Sequence, residues 1–117
     1  MNERRDALRL PVKLFVDHIL SEEQHCLCVT EDLGFEGLRL SGTPGRGWGS
    51  PRHVWLQFRL PDGDGDLIRA LGQVCYEGAG DGGERIRGFR FKYLNPRSRR
   101  RYDAFLQSAL EVGAGAA

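Results

Sequence analysis

The chain lacks several features that would place it in a familiar class, and each absence narrows the reading. No run approaches the ~18 consecutive apolar residues of a membrane-spanning helix. Glu3, Arg4, Arg5 and Asp6 leave no apolar stretch at the N-terminus of the kind a secretory signal carries. Neither export nor membrane insertion is indicated, and a cytoplasmic location is expected. There is no excess of one charge sign: 17 basic residues stand against 16 acidic ones, a formal net charge of +1. The broad positive field of a nucleic-acid binder is missing, so no nucleic-acid partner is expected and any ligand is held locally. The 3 cysteines are an odd number, and Cys26 and Cys28 lie two apart on one face of a predicted strand. They read as reduced, partly buried small residues. His18, His25, Cys26, Cys28 and Cys75 contain no C-x2-C pair and no spaced histidine pair, so no metal or resident cofactor is expected. No Ser/His/Asp or Cys/His arrangement is supported by a local motif. Asp62, Asp64 and Asp66 fall in a turn whose composition accounts for them, and the chain reads as a non-enzyme.

What is present fits one domain of 117 residues. Residues 1–11 carry charge without periodicity, and Pro11 disfavours helix before it, so this stretch is expected to be a flexible arm with arginines free to reach. From Val12 the pattern alternates, with Val12, Leu14 and Val16 on one strand face. Further strands are expected at about Cys26–Thr30, Gly37–Ser41, His53–Leu60, Asp66–Tyr76 and Arg85–Tyr93, with Phe89, Phe91 and Tyr93 sharing a face. A long loop from Gly42 to Pro51 and glycine-rich turns after Pro61 and from Gly78 to Gly83 separate them. The period then changes. Asn95 suits an N-cap and Pro96 the first helical position, while Tyr102, Phe105, Leu106, Ala109 and Leu110 form one helical stripe. About six short strands and one helix predict an antiparallel barrel or strongly curled sheet capped by a C-terminal helix over residues 12–112, with 113–117 as a tail.

Two clusters carry candidate chemistry. Arg5 and Arg9, with Arg4 as an extra candidate, present guanidinium forks that grip phosphate bidentately or stack on a ring. Asp32-Leu33-Gly34-Phe35-Glu36-Gly37 offers carboxylate oxygens to an N–H edge, and its glycines let backbone approach a ligand. Taken singly, a solvated terminus and a tight turn are the better accounts of the two clusters. The run Arg97-Ser98-Arg99-Arg100-Arg101 sits where the helix dipole disfavours cations by roughly 0.3–1 kcal/mol each. Arg99, Arg100 and Arg101, with the outward Trp55, form the candidate partner surface, and the loop residue Trp48 is a candidate for stacking on a base or for a protein contact.

Taken together and in order, the clusters resemble the bipartite RxxxR and D/NxSxxG signature of PilZ domains, receptors for the bacterial second messenger cyclic di-GMP. The resemblance extends along nearly the whole chain, through Leu38-Arg39-Leu40, Val54 to Pro61, Gly72-Gln73-Val74 and Gly88-Phe89-Arg90-Phe91. It implies a six-stranded PilZ-type β-barrel with a C-terminal α-helix. It also implies that Arg5 and Arg9 take phosphates and guanine faces, that Asp32 contacts a guanine, and that Gly37 permits close approach. Gly34 stands where the family usually has serine, removing a hydroxyl hydrogen bond worth roughly 0.5–1.5 kcal/mol. Phe35-Glu36 is expected to add bulk and negative charge near the phosphates. The implied function is a cyclic di-GMP receptor, monomer or homodimer, that relays the signal to an effector protein in motility, exopolysaccharide or related signalling. The alternative is a PilZ-like adaptor that binds a protein and no nucleotide.

Overall fold

The computed structural model describes residues 8–42, 52–61 and 67–116, with side chains through Glu111. Arg4, Arg5, Trp48 and the turn acids Asp62, Asp64 and Asp66, singled out in the sequence, lie outside them. Six strands, β1 (Phe15–Ile19), β2 (His25–Leu33), β3 (Gly37–Ser41), β4 (His53–Arg59), β5 (Leu67–Ala79) and β6 (Arg85–Leu94), precede one helix, α1 (Pro96–Ala116). Every pairing is antiparallel, and the order β1-β2-β3-β6-β5-β4 closes into a barrel. Closure follows from the alternation: Val54, Leu56 and Phe58 of β4 turn inward to meet Val16, Leu38, Leu40 and Ile68 from the other walls.

The first strand starts at Phe15, later than the Val12 expected from alternation. A side chain explains the delay. The Thr30 hydroxyl donates to the Val12 carbonyl (2.6 Å) and accepts from the Leu14 N–H (2.8 Å), while the register of β2 shifts between Thr30 and Asp32. Residues 12–14 are thus held by this hydroxyl together with the Thr30 N–H, which donates to the Leu14 carbonyl (2.9 Å), and not by a regular ladder. At the far end β5 continues to Ala79, so Gly78, expected in a turn, pairs with Ile86. On β6 the face expected to be shared diverges: Phe89 is buried, Phe91 half-buried and Tyr93 exposed, as β5–β6 pairing shifts between Leu71 and Gly72.

The helix begins as its chemistry dictates, with Asn95 Oδ1 accepting the Ser98 N–H (2.8 Å). It continues to Ala116, through residues read from sequence as a tail. Tyr102 and Leu106 are buried and close one end of the barrel, where the Tyr102 ring meets Phe58 and Phe91 edge-on at 6.1 and 5.3 Å. Among the polar residues buried in the barrel are His18, edge-on to Phe89, and Arg87, which donates to Glu77 (3.3 Å).

Candidate functional site

Backbone pairing assembles the site. Asp32 lies directly across from Arg39 where β2 meets β3, and the N-terminal segment is stitched alongside by reciprocal Leu10–Leu33 hydrogen bonds of 2.7 and 2.8 Å. Those two pairings bring Arg9 and Arg39 to the two sides of one carboxylate. Arg9 donates from Nε (2.9 Å) and Nη2 (2.6 Å) to Asp32 Oδ1. Arg39 donates from Nε (2.8 Å), and by a short contact from Nη2, to Oδ2. A carboxylate has about four lone-pair positions, and all four are taken. Asp32 is 5 % exposed, whereas the Arg9 and Arg39 side chains are 37 % and 47 % exposed, so the cationic ends reach the surface from a buried anion. The hydrogen bond to Asp32 raises the Arg39 pKa above its ordinary value.

The arm is therefore docked at Arg9 and Leu10, not free there, and the two motif glycines do different work. A Cβ on Gly34 would overlap Arg9 Nη1 and lie 3.1 Å from Cζ, so the guanidinium rests on the bare Cα of Gly34. A Cβ on Gly37 would overlap the Phe89 carbonyl oxygen and lie 2.9 Å from its carbon. The close approach at Gly37 is to the β6 backbone. Phe35, expected to crowd a ligand, is buried in the core, and the Glu36 carboxylate lies 3.9 Å from Arg99. Arg99 also donates to the Phe35 carbonyl (2.7 Å), and the Tyr102 hydroxyl donates to the Gly34 carbonyl (2.7 Å). Burial pushes the Tyr102 phenol pKa up, which keeps it a donor. Helix α1 thus clamps the loop between Asp32 and Gly37. Of the candidate partner surface, Arg99 faces this loop, Arg100 is exposed, Arg101 is half-buried, and Trp55 lies half-buried under the Arg69 guanidinium at 5.0 Å.

Sequence reasoning missed Arg39 and Tyr76. Arg39 was visible as a charge between two core leucines, Leu38 and Leu40, but its partner depends on register. Tyr76, 49 % exposed, lies across Gly88 from Arg39: a Cβ on Gly88 would stand 3.1 Å from Tyr76 Cβ and 3.8 Å from Arg39 Cγ. Beside it runs a groove of about 530 Å³ lined by Arg52, Gln73, Tyr76, Glu77 and Arg90, the last paired with Gly37. Among the described residues no cluster of three or more His, Cys, Asp or Glu is placed to hold a metal, and no helix is long and apolar enough to cross a membrane.

A closed barrel with guanidinium forks, a buried carboxylate and an aromatic ring on one wall has the equipment of a small-ligand binding domain. The PilZ domain family model matches residues 3–108, nearly the whole chain, and the chain belongs to that family, whose members are regulatory receptor and adaptor domains and not enzymes. Three solved structures share the fold. The Bacillus subtilis inhibitor of motility MotI superposes with a TM-score of 0.77 at 16 % identity, covering 97 % of this chain and 53 % of that one. The PilZ domain of CeSA from a cellulose-synthesizing bacterium gives 0.61 at 18 % identity, covering 92 % and 99 %. The Borreliella burgdorferi PlzA protein, in complex with c-di-GMP, gives 0.66 at 7 % identity, covering 97 % and 55 %. The chain thus spans about half the length of MotI and of PlzA. No curated protein sequence matches it.

Proposed function

We propose that the chain is a receptor for cyclic di-GMP that acts in the bacterial cytoplasm and relays ligand occupancy to a partner protein. The observation that carries this reading is the Asp32 corner: a buried carboxylate acceptor between two half-exposed arginines. A guanine presents an N–H edge that a carboxylate accepts, and each phosphate suits a guanidinium fork. Arg9 is one fork, and Arg5 and Arg4, which precede it on the arm, supply others. Tyr76 offers a flat ring beside Arg39 on which a base stacks. Gly34 makes room for the Arg9 guanidinium beside Asp32, while Gly37 keeps β3 tight against β6. Membership of the PilZ family and the likeness to a barrel solved with c-di-GMP support the ligand class. Calorimetric titration of the protein with cyclic di-GMP, with GTP as a control and Asp32→Ala as the comparison, tests it. Saturable heat that GTP does not reproduce and that Asp32→Ala loses is the expected result; equal binding by Asp32→Ala sinks the assignment of the site.

A second reading, a protein-binding adaptor, is favoured by one observation. The outer wall carries an apolar row, Ile19–Trp55–Leu71–Tyr93, each member paired with the next across β1, β4, β5 and β6. Further along the same outer face, past Asp17, Phe15 and Leu27 are 69 % and 65 % exposed. The two readings combine naturally if this wall is where the partner docks.

A further inference from the structure

We infer that Arg9 occupies the ligand's place on Asp32 when no ligand is bound, that Gly34 is what allows it to do so, and that Arg39 is the positioning residue that keeps Asp32 in place when Arg9 leaves. The inference rests on the receptor reading above and assigns a resting state to that site. It follows from counting acceptors. Asp32 receives two N–H donors on Oδ1 from Arg9 and two on Oδ2 from Arg39, so no lone-pair position remains for a guanine edge. One arginine must therefore withdraw before a base can bind there.

The geometry selects which. Arg39 sits mid-strand on β3, paired with Asp32 on one side and Gly88 on the other, and its backbone is fixed by two ladders. Arg9 precedes all six strands, and one isolated bridge, Leu10–Leu33, ties its segment down. Its guanidinium also depends on empty space over Gly34, since a Cβ there would overlap Nη1. A side chain at position 34 therefore pushes against the far end of a flexible arginine and dislodges it without straining backbone. Gly34 has no positive φ, so alanine fits its conformation. On exchange, Arg9 turns from carboxylate to ligand phosphate, and Arg39 leaves Asp32 neither bare nor reoriented, which matters because a buried unpaired carboxylate is costly. The departure from the family's serine thus does more than remove a hydroxyl: it installs an internal competitor.

Gly34→Ala isolates this effect, because it adds the Cβ without a hydroxyl. Two measurements are made on the full chain: calorimetric titration with cyclic di-GMP, and NMR of the arginine Nε–H groups with and without the nucleotide. In the parent, ligand is expected to shift the Arg9 Nε–H strongly and leave the Arg39 Nε–H bonded to carboxylate. In Gly34→Ala, the Arg9 signal is expected to move off its carboxylate position before any ligand is added. Its affinity is expected to rise roughly two- to fivefold, the range set by releasing a half-exposed ion pair. If Arg9 is displaced in Gly34→Ala and affinity is unchanged or lower, Arg9 does not compete and the inference fails. If ligand displaces Arg39 and leaves Arg9 in place, the assignment of roles is reversed and fails. A parent that gives no heat with cyclic di-GMP overturns the receptor reading itself, whatever the Arg9 signal shows.

Discussion

Gly37 and Gly34 stand three positions apart in one motif, yet an added Cβ meets backbone at the first and the end of a side chain at the second. At Gly37 the added Cβ meets the Phe89 carbonyl, which is backbone and cannot yield. Gly37→Ala is expected to cost about 1–3 kcal/mol by forcing β3 from β6, read as a lower urea midpoint with an unchanged slope. Gly34→Ala, crowding only the end of Arg9 and meeting the Leu8 carbonyl at an ordinary 3.4 Å, is expected to stay within about 0.5 kcal/mol of the parent in the same experiment. His18 makes a second prediction at this scale. Burial, with a smaller contribution from the Arg87 charge, lowers its pKa from 6.5 to about 4, against a backbone hydrogen bond and Asp17, which raise it. The unfolded chain therefore binds a proton that the folded barrel refuses between those two values, so stability falls as pH drops from about 6.5 to 4. The full span corresponds to roughly 2–4 kcal/mol. Urea unfolding at pH 7 and pH 4.5 should show this loss in the parent and a distinctly smaller one in His18→Leu.

Helix α1 matters less as a lid than as the element that fixes the loop between Asp32 and Gly37. The Tyr102 hydroxyl satisfies the Gly34 carbonyl and the Arg99 guanidinium satisfies the Phe35 carbonyl, so two turns of one helix hold the backbone on which Arg9 rests. Tyr102→Phe leaves a carbonyl unsatisfied at a buried position and is expected to cost about 1–3 kcal/mol, with the loss visible in the denaturation midpoint. It should also speed amide hydrogen exchange at Gly34, which a purely global loss of packing would not single out. The strands, the N-cap at Asn95 and the helical stripe through Tyr102 and Leu106 were legible because hydrophobic period and cap chemistry are local. The start of β1 was not, because a hydroxyl on the neighbouring strand, Thr30, decides it. The same holds for the site. Asp32, Gly34 and Arg9 could be picked out by motif, but Arg39, Tyr76 and the inward turn of Phe35 depend on register and packing that no local pattern encodes.

At the scale of the molecule, closure of the barrel gives each of the six strands a neighbour on both sides, so over the paired stretches, the Trp55 row among them, the outer surface presents side chains and not a strand edge. On the proposed reading, ligand and partner are addressed by different parts of the barrel: the Asp32 corner with Arg39 and Tyr76, and the apolar row through Trp55. The central claim is that the corner is where cyclic di-GMP binds. The most direct measurement is a backbone amide NMR titration of the full chain with the dinucleotide. The account predicts that saturating shifts concentrate at Arg9, Leu10, Asp32, Gly34, Arg39, Tyr76 and Gly88, and that Asp32→Ala removes them. Shifts confined to Phe15, Leu27 and Trp55, or no shifts at a ligand concentration that saturates a control receptor, would contradict it.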